Sequence, residues 1–203
     1  MTGRIVVLIS GSGSNMEALV DACEAGEVPG GVVAVVADRD CTGLKVAEQR
    51  ELPHRLVRPN DYESRDKWCV ALHEEVASFE PDLVVSAGFM RILAPVFVDA
   101  FAGRLINLHP SLLPSFKGAH AVRDALEFGA KVTGSTIHFV DNEVDHGPII
   151  MQKPTPIRDG DTEESLHERI KSLEHRLLPE VCRLFLEGRV LLTAGRVRIK
   201  ERS

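Results

Sequence analysis

The 203-residue chain has only four cysteines, few aromatic residues and no long apolar run. The cysteines show neither a Cys-x-x-Cys spacing nor an accompanying His-x-x-x-His pair, which argues against a structural zinc site and a disulfide framework. The longest apolar runs fall far short of the roughly 20 residues that a membrane helix needs. We therefore expect no metal, no membrane partner and thiols suited to a reducing cytoplasm.

Charge of one sign is not concentrated anywhere in the chain. There are 24 Lys and Arg residues against 30 Asp and Glu, a formal net charge of -6, and neither sign forms a tail. This argues against a nucleic-acid partner. The N-terminus leads into an apolar run without a signal-peptide pattern, and we find no internal repeat or linker. We expect one cytoplasmic domain over residues 1–203, divided into halves of about 1–100 and 101–203.

Apolar patterning predicts alternating strands and helices in the first half. Strands are predicted at residues 5–9, 31–37, 54–57 and 83–87, and helices at 16–25, 43–50 and 64–79. Parallel strands joined by right-handed crossover helices form a doubly wound sheet with a crevice at the strand carboxyl ends. The second half adds a short strand at 105–106, a helix at 121–127, strands at 133–140 and 149–153, a helix at 162–187 kinked at Pro179, and an edge strand at 190–192.

The fold class that follows is α/β. We predict a Rossmann-like, mostly parallel doubly wound sheet with a C-terminal antiparallel portion and a long C-terminal helix. An open sheet of this kind binds its ligands at the carboxyl ends of its strands. Polar motifs that follow the predicted strands are therefore the candidate sites.

The motif Ser10-Gly11-Ser12-Gly13-Ser14-Asn15 lies between the first strand and the first helix. Ser14 or Asn15 is available as the helix N-cap, and the loop N–H groups with the helix dipole would favour an anion. A purely structural tight turn is equally compatible with these residues. Asp38 after the second strand raises a dinucleotide-binding alternative, but Met16 occupies the position where that fingerprint needs its third glycine.

Two polar motifs follow the later strands of the sheet. In Asn107-Leu108-His109-Pro110, strand alternation places the Asn and His side chains on one face at a strand's carboxyl end. Such a pair could hold a developing oxyanion and move a proton, or could be a capped turn. The loop Gly88-Phe89-Met90-Arg91-Ile92-Leu93 would suit a flat apolar ligand with a polar edge, or would be a core-facing connection.

Four blocks taken together resemble the phosphoribosylglycinamide formyltransferases, the folate-dependent enzymes of de novo purine biosynthesis. They are Ile9-Ser10-Gly11-Ser12-Gly13-Ser14-Asn15, Gly88-Phe89-Met90-Arg91-Ile92-Leu93, Asn107-Leu108-His109-Pro110-Ser111-Leu112-Leu113-Pro114, and Asp145-His146-Gly147-Pro148-Ile149. The resemblance implies transfer of a formyl group from 10-formyltetrahydrofolate to the amine of a glycinamide ribonucleotide, without a metal or a covalent enzyme intermediate. It leaves a homodimer open.

The resemblance also implies a role for individual residues. The catalytic residues would be Asn107, His109 and Asp145. The ribonucleotide would be bound by Gly11, Ser12, Gly13, Ser14, Asn15, Lys171 and Glu174. The folate would be bound by Arg65, Met90, Arg91, Ile92, Leu93, Asn107, Val140, Asp141 and Asp145. Residues 117–122 match the family pattern only in part, so no residues are assigned to binding the glycinamide end of the ribonucleotide.

Charge development in the transition state gives the three catalytic residues their expected tasks. When the amine attacks the formyl carbon, the carbonyl oxygen becomes an oxyanion, and donors placed for it stabilise the transition state more than the substrate. Asn107 and His109 fit that task. Asp145 would favour the charged imidazolium and could relay a proton through water.

Three alternatives share parts of this pattern. A formyltetrahydrofolate deformylase would transfer the group to water, and a methionyl-tRNA formyltransferase would use a tRNA acceptor. The first usually has an added N-terminal regulatory domain and the second a C-terminal basic domain, neither of which we expect in 203 residues. A nucleotide-binding protein without catalysis would use the glycine loop alone.

Overall fold

The computed structural model describes residues 2–201 as a seven-stranded sheet, flanking helices and a separate hairpin. The strands are β1 (Gly3–Ile9), β2 (Gly30–Ala37), β3 (His54–Leu56), β4 (Leu83–Ser86), β5 (Leu105–His109), β6 (Val132–Phe139), β7 (Ile149–Pro156), β8 (Val190–Thr193) and β9 (Arg196–Ile199). The helices are α1 (Ser14–Glu24), α2 (Thr42–Gln49), α3 (Arg65–Ala77), α4 (Pro95–Ala100), α5 (Ala121–Phe128) and α6 (Glu163–Leu186), with a short 3-10 helix at Pro59–Asp61.

The sheet has the order β3-β2-β1-β4-β5-β6-β7. The first five strands in this order are parallel, and β6 and β7 are antiparallel to their neighbours. The predicted fold class is thereby confirmed, including the antiparallel portion and the long helix α6. Because strand order reverses beside β1, the loops after β1, β2 and β4 meet at one edge of the sheet.

Apolar side chains form a core on each face of the sheet. One face carries α1, α2 and α6, with Ile5, Val7 and Ile9 of β1 among the buried residues. The other face carries α3 and α4, with Trp68 and Phe97 packed against Val6 and Leu8. Alternate residues of β1 thus enter opposite cores, as expected for a strand covered on both sides.

Several local expectations differ from the structure. β5 extends to His109, three residues past the predicted strand, because it pairs with β6 as well as β4. α6 continues through Pro179 as one helix, and the predicted kink there stays a prediction. The predicted edge strand at 190–192 pairs with β9 in a small two-stranded sheet of its own and is not part of the main sheet.

Residues 2–201 contain neither a membrane-spanning helix nor a metal-binding cluster. No helix between residues 2 and 201 is long and apolar enough to cross a membrane. In the same range no group of three His, Cys, Asp or Glu side chains is arranged to hold a metal ion. The four thiols are free. The single domain over 1–203 and its division into two halves stay predictions, and residues 1, 202 and 203 lie outside the described range.

Candidate active site

Asn107 and His109 are the third and fifth residues of β5, on the same side of the strand. The register of β5 sets Asn107 between Ser86 of β4 and His138 of β6. Pro110 has no N–H group to continue the ladder, so the strand ends at His109. The two side chains therefore lie at the carboxyl end of β5, beside the loop that follows β4.

The imidazole of His109 is 4% exposed and lies between two oxygen acceptors. Its Nδ1 is 3.4 Å from Oδ2 of Asp145, and its Nε2 is 2.8 Å from the carbonyl oxygen of Phe116. Both ring nitrogens of His109 therefore face oxygen acceptors. A neutral ring can donate from only one nitrogen, whereas the imidazolium donates from both.

Asp145 belongs to the loop between β6 and β7, which turns back toward β5. Its backbone has φ of 48°, and Gly118 donates its N–H to Oδ2 at 2.8 Å. A Cβ atom at Gly147 would lie 1.9 Å from the carbonyl oxygen of Phe139, so only glycine allows the loop to pass this close to β6. The three predicted catalytic residues are thus brought together, with Asp145 supplied by a separate loop.

Sequence reasoning missed His138, which is 2% exposed and joins the same cluster. Its Nδ1 is 2.8 Å from the Phe139 carbonyl oxygen, and its Nε2 is 3.2 Å from Nδ2 of Asn107 and 3.8 Å from Oδ1 of Asp145. Burial lowers the pKa of His138, although the Phe139 carbonyl and the Asp145 carboxylate oppose that effect. A neutral ring that donates from Nδ1 leaves Nε2 as the acceptor for Asn107.

The glycine loop departs from the predicted capping. Helix α1 begins at Ser14 after Gly13, which has φ of 79°, and neither Ser14 nor Asn15 is the N-cap. A Cβ at Gly13 would lie 2.8 Å from the Cα of Gly43. Because no side chain caps α1, its first-turn N–H groups are not used by a capping oxygen and can face an anion.

Glu174 of α6 meets the start of α1 in the interior. It is 5% exposed and accepts hydrogen bonds from Asn15 Nδ2 at 2.8 Å and from Ser135 Oγ at 2.9 Å. Burial raises the pKa of the Glu174 carboxyl, and the bonds from Asn15 and Ser135 oppose that rise. The predicted neighbour Lys171 forms an ion pair with Glu168 at 2.6 Å. The structure therefore joins Glu174 to the glycine loop, while Lys171 lies one helical turn earlier and pairs elsewhere.

Four of the predicted folate residues line one cavity of about 450 Å³. Its walls are Pro59, Tyr62, Ser64, Arg65, Trp68, Met90, Arg91 and Ile92. Leu93 packs into the core behind it. Of the four remaining predicted residues, Asn107 and Asp145 belong to the cluster described above. Val140 donates its N–H to the Leu105 carbonyl, and Asp141 accepts bonds from within its own loop. A cavity of about 510 Å³ between α1 and α6 is lined by none of the predicted site residues.

The dinucleotide alternative needs an accessible carboxylate after β2. Asp38 occupies that position, but its side chain is 0% exposed and is bonded to Arg39 and Arg91. No carboxylate surface is left there for a ribose.

Comparison with known proteins gives consistent results. The family model described as Formyl transferase matches residues 3–182. A phosphoribosylglycinamide formyltransferase of Mycobacterium tuberculosis is 54% identical over 175 residues, 86% of this chain and 81% of that protein. The phosphoribosylglycinamide formyltransferase of Escherichia coli is 43% identical over 92% of this chain and 89% of its own length. The crystal structure of glycinamide ribonucleotide transformylase 1 from Symbiobacterium toebii superposes with a TM-score of 0.96 at 46% identity, covering 98% of this chain and 95% of that one.

Proposed function

The chain belongs to the formyl transferase family, and from that membership we propose that it moves the formyl group of 10-formyltetrahydrofolate to the amine of 5'-phosphoribosylglycinamide. The products are the N-formyl ribonucleotide and tetrahydrofolate, in de novo purine biosynthesis. The observation that carries the proposal is the convergence of Asn107, His109 and Asp145 at the end of β5. Two neutral or cationic donors and one carboxylate there match the charges that amine attack on a formyl carbon creates.

Asn107 is proposed as an oxyanion donor. Its amide has two N–H groups, and one of them donates a hydrogen bond to Nε2 of His138. The second N–H is left for the oxygen of the formyl group as that oxygen gains charge. A donor already held in place needs no reorganisation during the reaction, which is the condition for a large electrostatic contribution.

His109 and Asp145 are proposed to act as a pair. Asp145 remains beside Nδ1 and stabilises the imidazolium. The Nε2–H group leaves the Phe116 carbonyl and donates its hydrogen bond to the oxyanion instead. The attacking amine must lose a proton and the folate nitrogen that releases the formyl group must gain one. Asp145, 12% exposed at the mouth of the cluster, is placed to pass that proton through water.

The ligands are proposed to enter from two sides of this cluster. The ribonucleotide phosphate binds the open first turn of α1 at residues 11–15, with Glu174 and Lys171 toward the ribose. The folate lies along residues 90–93, Val140 and Asp141, with its charged tail toward Arg65. We further propose that the enzyme is cytoplasmic and acts on small molecules only.

The test is a formyl-donor assay with purified protein. Loss of 10-formyltetrahydrofolate should require the ribonucleotide, and one N-formyl product should appear for each donor consumed. Asn107→Leu should lower kcat by about 100-fold or more, since one oxyanion donor is lost. Equal donor loss without the acceptor would establish the deformylase alternative. Ligand binding without turnover would establish the non-catalytic alternative.

A further inference from the structure

A buried carboxylate lies behind the loop of residues 88–93, and the chemistry proposed above does not use it. Asp38 follows β2, and its side chain is 0% exposed. Its Oδ2 accepts a hydrogen bond from Nε of Arg91 at 2.6 Å and from Nη2 of Arg39 at 3.0 Å. The Ser10 hydroxyl lies close enough to this carboxylate to help lower the pKa of Asp38.

Ser10 connects the carboxylate to the backbone of the same loop. The N–H of Met90 donates to Oγ of Ser10 at 2.8 Å, and the N–H of Ser10 donates to the Gly88 carbonyl at 3.2 Å. Asp38 therefore holds two consecutive residues of the loop, Arg91 directly and Met90 through the Ser10 hydroxyl. We call Asp38, Ser10 and Arg91 the loop clamp.

The carboxylate of the clamp is ionised. Burial by itself raises the pKa of Asp38, but hydrogen bonds from Arg39, Ser10 and Arg91 outweigh it and hold the pKa below its ordinary value. Hydrogen bonds to an ionised acceptor are roughly twice as strong as neutral ones. The carboxylate of the Asp38–Arg91 ion pair is buried, so salt screens this pair less than it screens a pair between two exposed side chains.

Apolar side chains anchor the two ends of the loop and leave its middle exposed. Phe89 is buried and stacks on Trp68 with ring centroids 6.2 Å apart, and Leu93 packs against the same core. Between them, Met90 and Ile92 are 62% and 61% exposed. Side-chain burial therefore fixes the ends of the loop, whereas the polar clamp holds residues 90 and 91.

We propose that Asp38 is a positioning residue for the folate, fixing the backbone of residues 90–93 in the conformation that binds the pterin. The inference rests on the proposed function. The family resemblance implies that residues 90–93 hold the pterin largely through backbone groups, so a loop whose N–H and C=O groups are already held in place binds it with a smaller ordering cost. The glycine loop is held differently, by bonds from Gly43 N–H to the Gly11 carbonyl and from Glu17 N–H to the Gly13 carbonyl. Because these two bonds do not involve Asp38, we expect the loss of Asp38 to weaken ribonucleotide binding much less than folate binding.

The decisive variant is Asp38→Asn, which keeps the side-chain shape and removes the charge. Calorimetry with tetrahydrofolate should show a Kd raised about tenfold or more. In steady-state assays the KM for 10-formyltetrahydrofolate should rise likewise, while kcat and the KM for the ribonucleotide stay within about threefold. The matched control is Asp40→Asn, the same change two residues away, where a 78% exposed side chain pairs with Arg58. This control should leave both ligands unaffected.

A second variant breaks the clamp from the other side. Arg91→Gln should reproduce the folate-selective loss, and the double variant with Asp38→Asn should add little to either single change. This arm also tests the clamp if Asp38→Asn does not fold. Unchanged tetrahydrofolate binding in both variants overturns the inference, as does a parallel loss of both ligands with a lowered Tm. If the parent protein itself binds no tetrahydrofolate, the proposed function fails and the inference falls with it.

Discussion

The side-chain amide of Asn107 lies against the buried ring of His138, with Nδ2 3.2 Å from Nε2. The ring donates from Nδ1 to the Phe139 carbonyl, so Nε2 has a lone pair to offer and requires a donor. This requirement decides which end of the Asn107 amide faces the ring. The amide is thereby fixed before any ligand arrives, with its second N–H available to an oxyanion.

Replacing His138 should therefore weaken catalysis through Asn107. His138→Phe retains an aromatic ring but removes the acceptor, and the amide of Asn107 can then rotate. We expect kcat to fall about tenfold, with the KM values for both substrates changed much less, because the loss is felt in the transition state. His138→Gln, which restores an acceptor, should recover part of the rate. Equal kcat values for the parent and His138→Phe would show that the ring does not orient Asn107.

The lowered pKa of His138 also predicts a dependence of stability on pH. The folded state keeps the ring neutral, so the unfolded chain binds the additional proton as pH falls below about 6.5. The free energy of unfolding should therefore decrease with acidification, by at most about 1.4 kcal/mol per pH unit, and level off below the folded-state pKa. Urea unfolding from about pH 5 to pH 8, compared with His138→Gln, isolates this contribution. A free energy of unfolding of the parent that stays constant or increases toward low pH, relative to that of His138→Gln, contradicts the assignment.

Local patterns were sufficient to locate the strands of the main sheet, with β5 predicted too short, and two members of the cluster. An apolar run just before Asn107, followed by Pro110, is enough to locate the end of a strand. Open sheets bind their ligands at such strand ends. His138 could not be found in this way. Its position opposite Asn107 depends on the register of β5 against β6, and a slip of one residue would reverse the face of every side chain.

Contacts between loops far apart in the sequence were equally out of reach. At Asp38 the sequence raises only a dinucleotide-binding alternative, because the local pattern contains no sign of Arg91, 53 residues later. The N-cap prediction was wrong for a related reason. Ser14 and Asn15 have side chains that can cap a helix, but Gly13, which lies against Gly43, is the N-cap of α1. The Asn15 side chain instead donates a hydrogen bond to Glu174.

Gly13 should be a site where a single methyl group impairs ribonucleotide binding. Gly13→Ala meets a left-handed φ of 79° and a Cβ contact of 2.8 Å with the Gly43 backbone. The ribonucleotide Kd should rise about tenfold or more by calorimetry, with the tetrahydrofolate Kd nearly unchanged, since the loop N–H groups are displaced from the phosphate. Gly26→Ala is the matched control, because Gly26 has φ of 74° and nothing within 4 Å of its Cβ. It should lose about 1 kcal/mol of stability and no affinity. Similar affinity losses for both ligands in Gly13→Ala would count against a phosphate site.

Asp145→Asn is the sharpest test of the catalytic assignment, because the change is isosteric. The Asn oxygen can still accept the Gly118 N–H that Oδ2 accepts at 2.8 Å, so the loop and the fold should be preserved. The imidazolium of His109 loses its counter-charge, and the carboxylate that passes the proton is gone. We expect the rate of the chemical step to fall about 100-fold or more in single-turnover assays. In steady-state assays the KM values of both substrates should change little.

The control for this change lies in the same loop. Glu143→Gln removes an exposed carboxylate whose oxygen is 4.0 Å from His146, outside the cluster of His109, and it should keep the parent rate. A chelator should also leave the parent rate unchanged, since the proposed reaction uses no metal. The alternative role for Asp145 is that of a turn former, because its φ of 48° and the bond from Gly118 would suit a purely structural residue. Near-parent turnover of Asp145→Asn from about pH 6 to pH 9 would establish that structural role, since an Asn supports the same turn as well as an Asp.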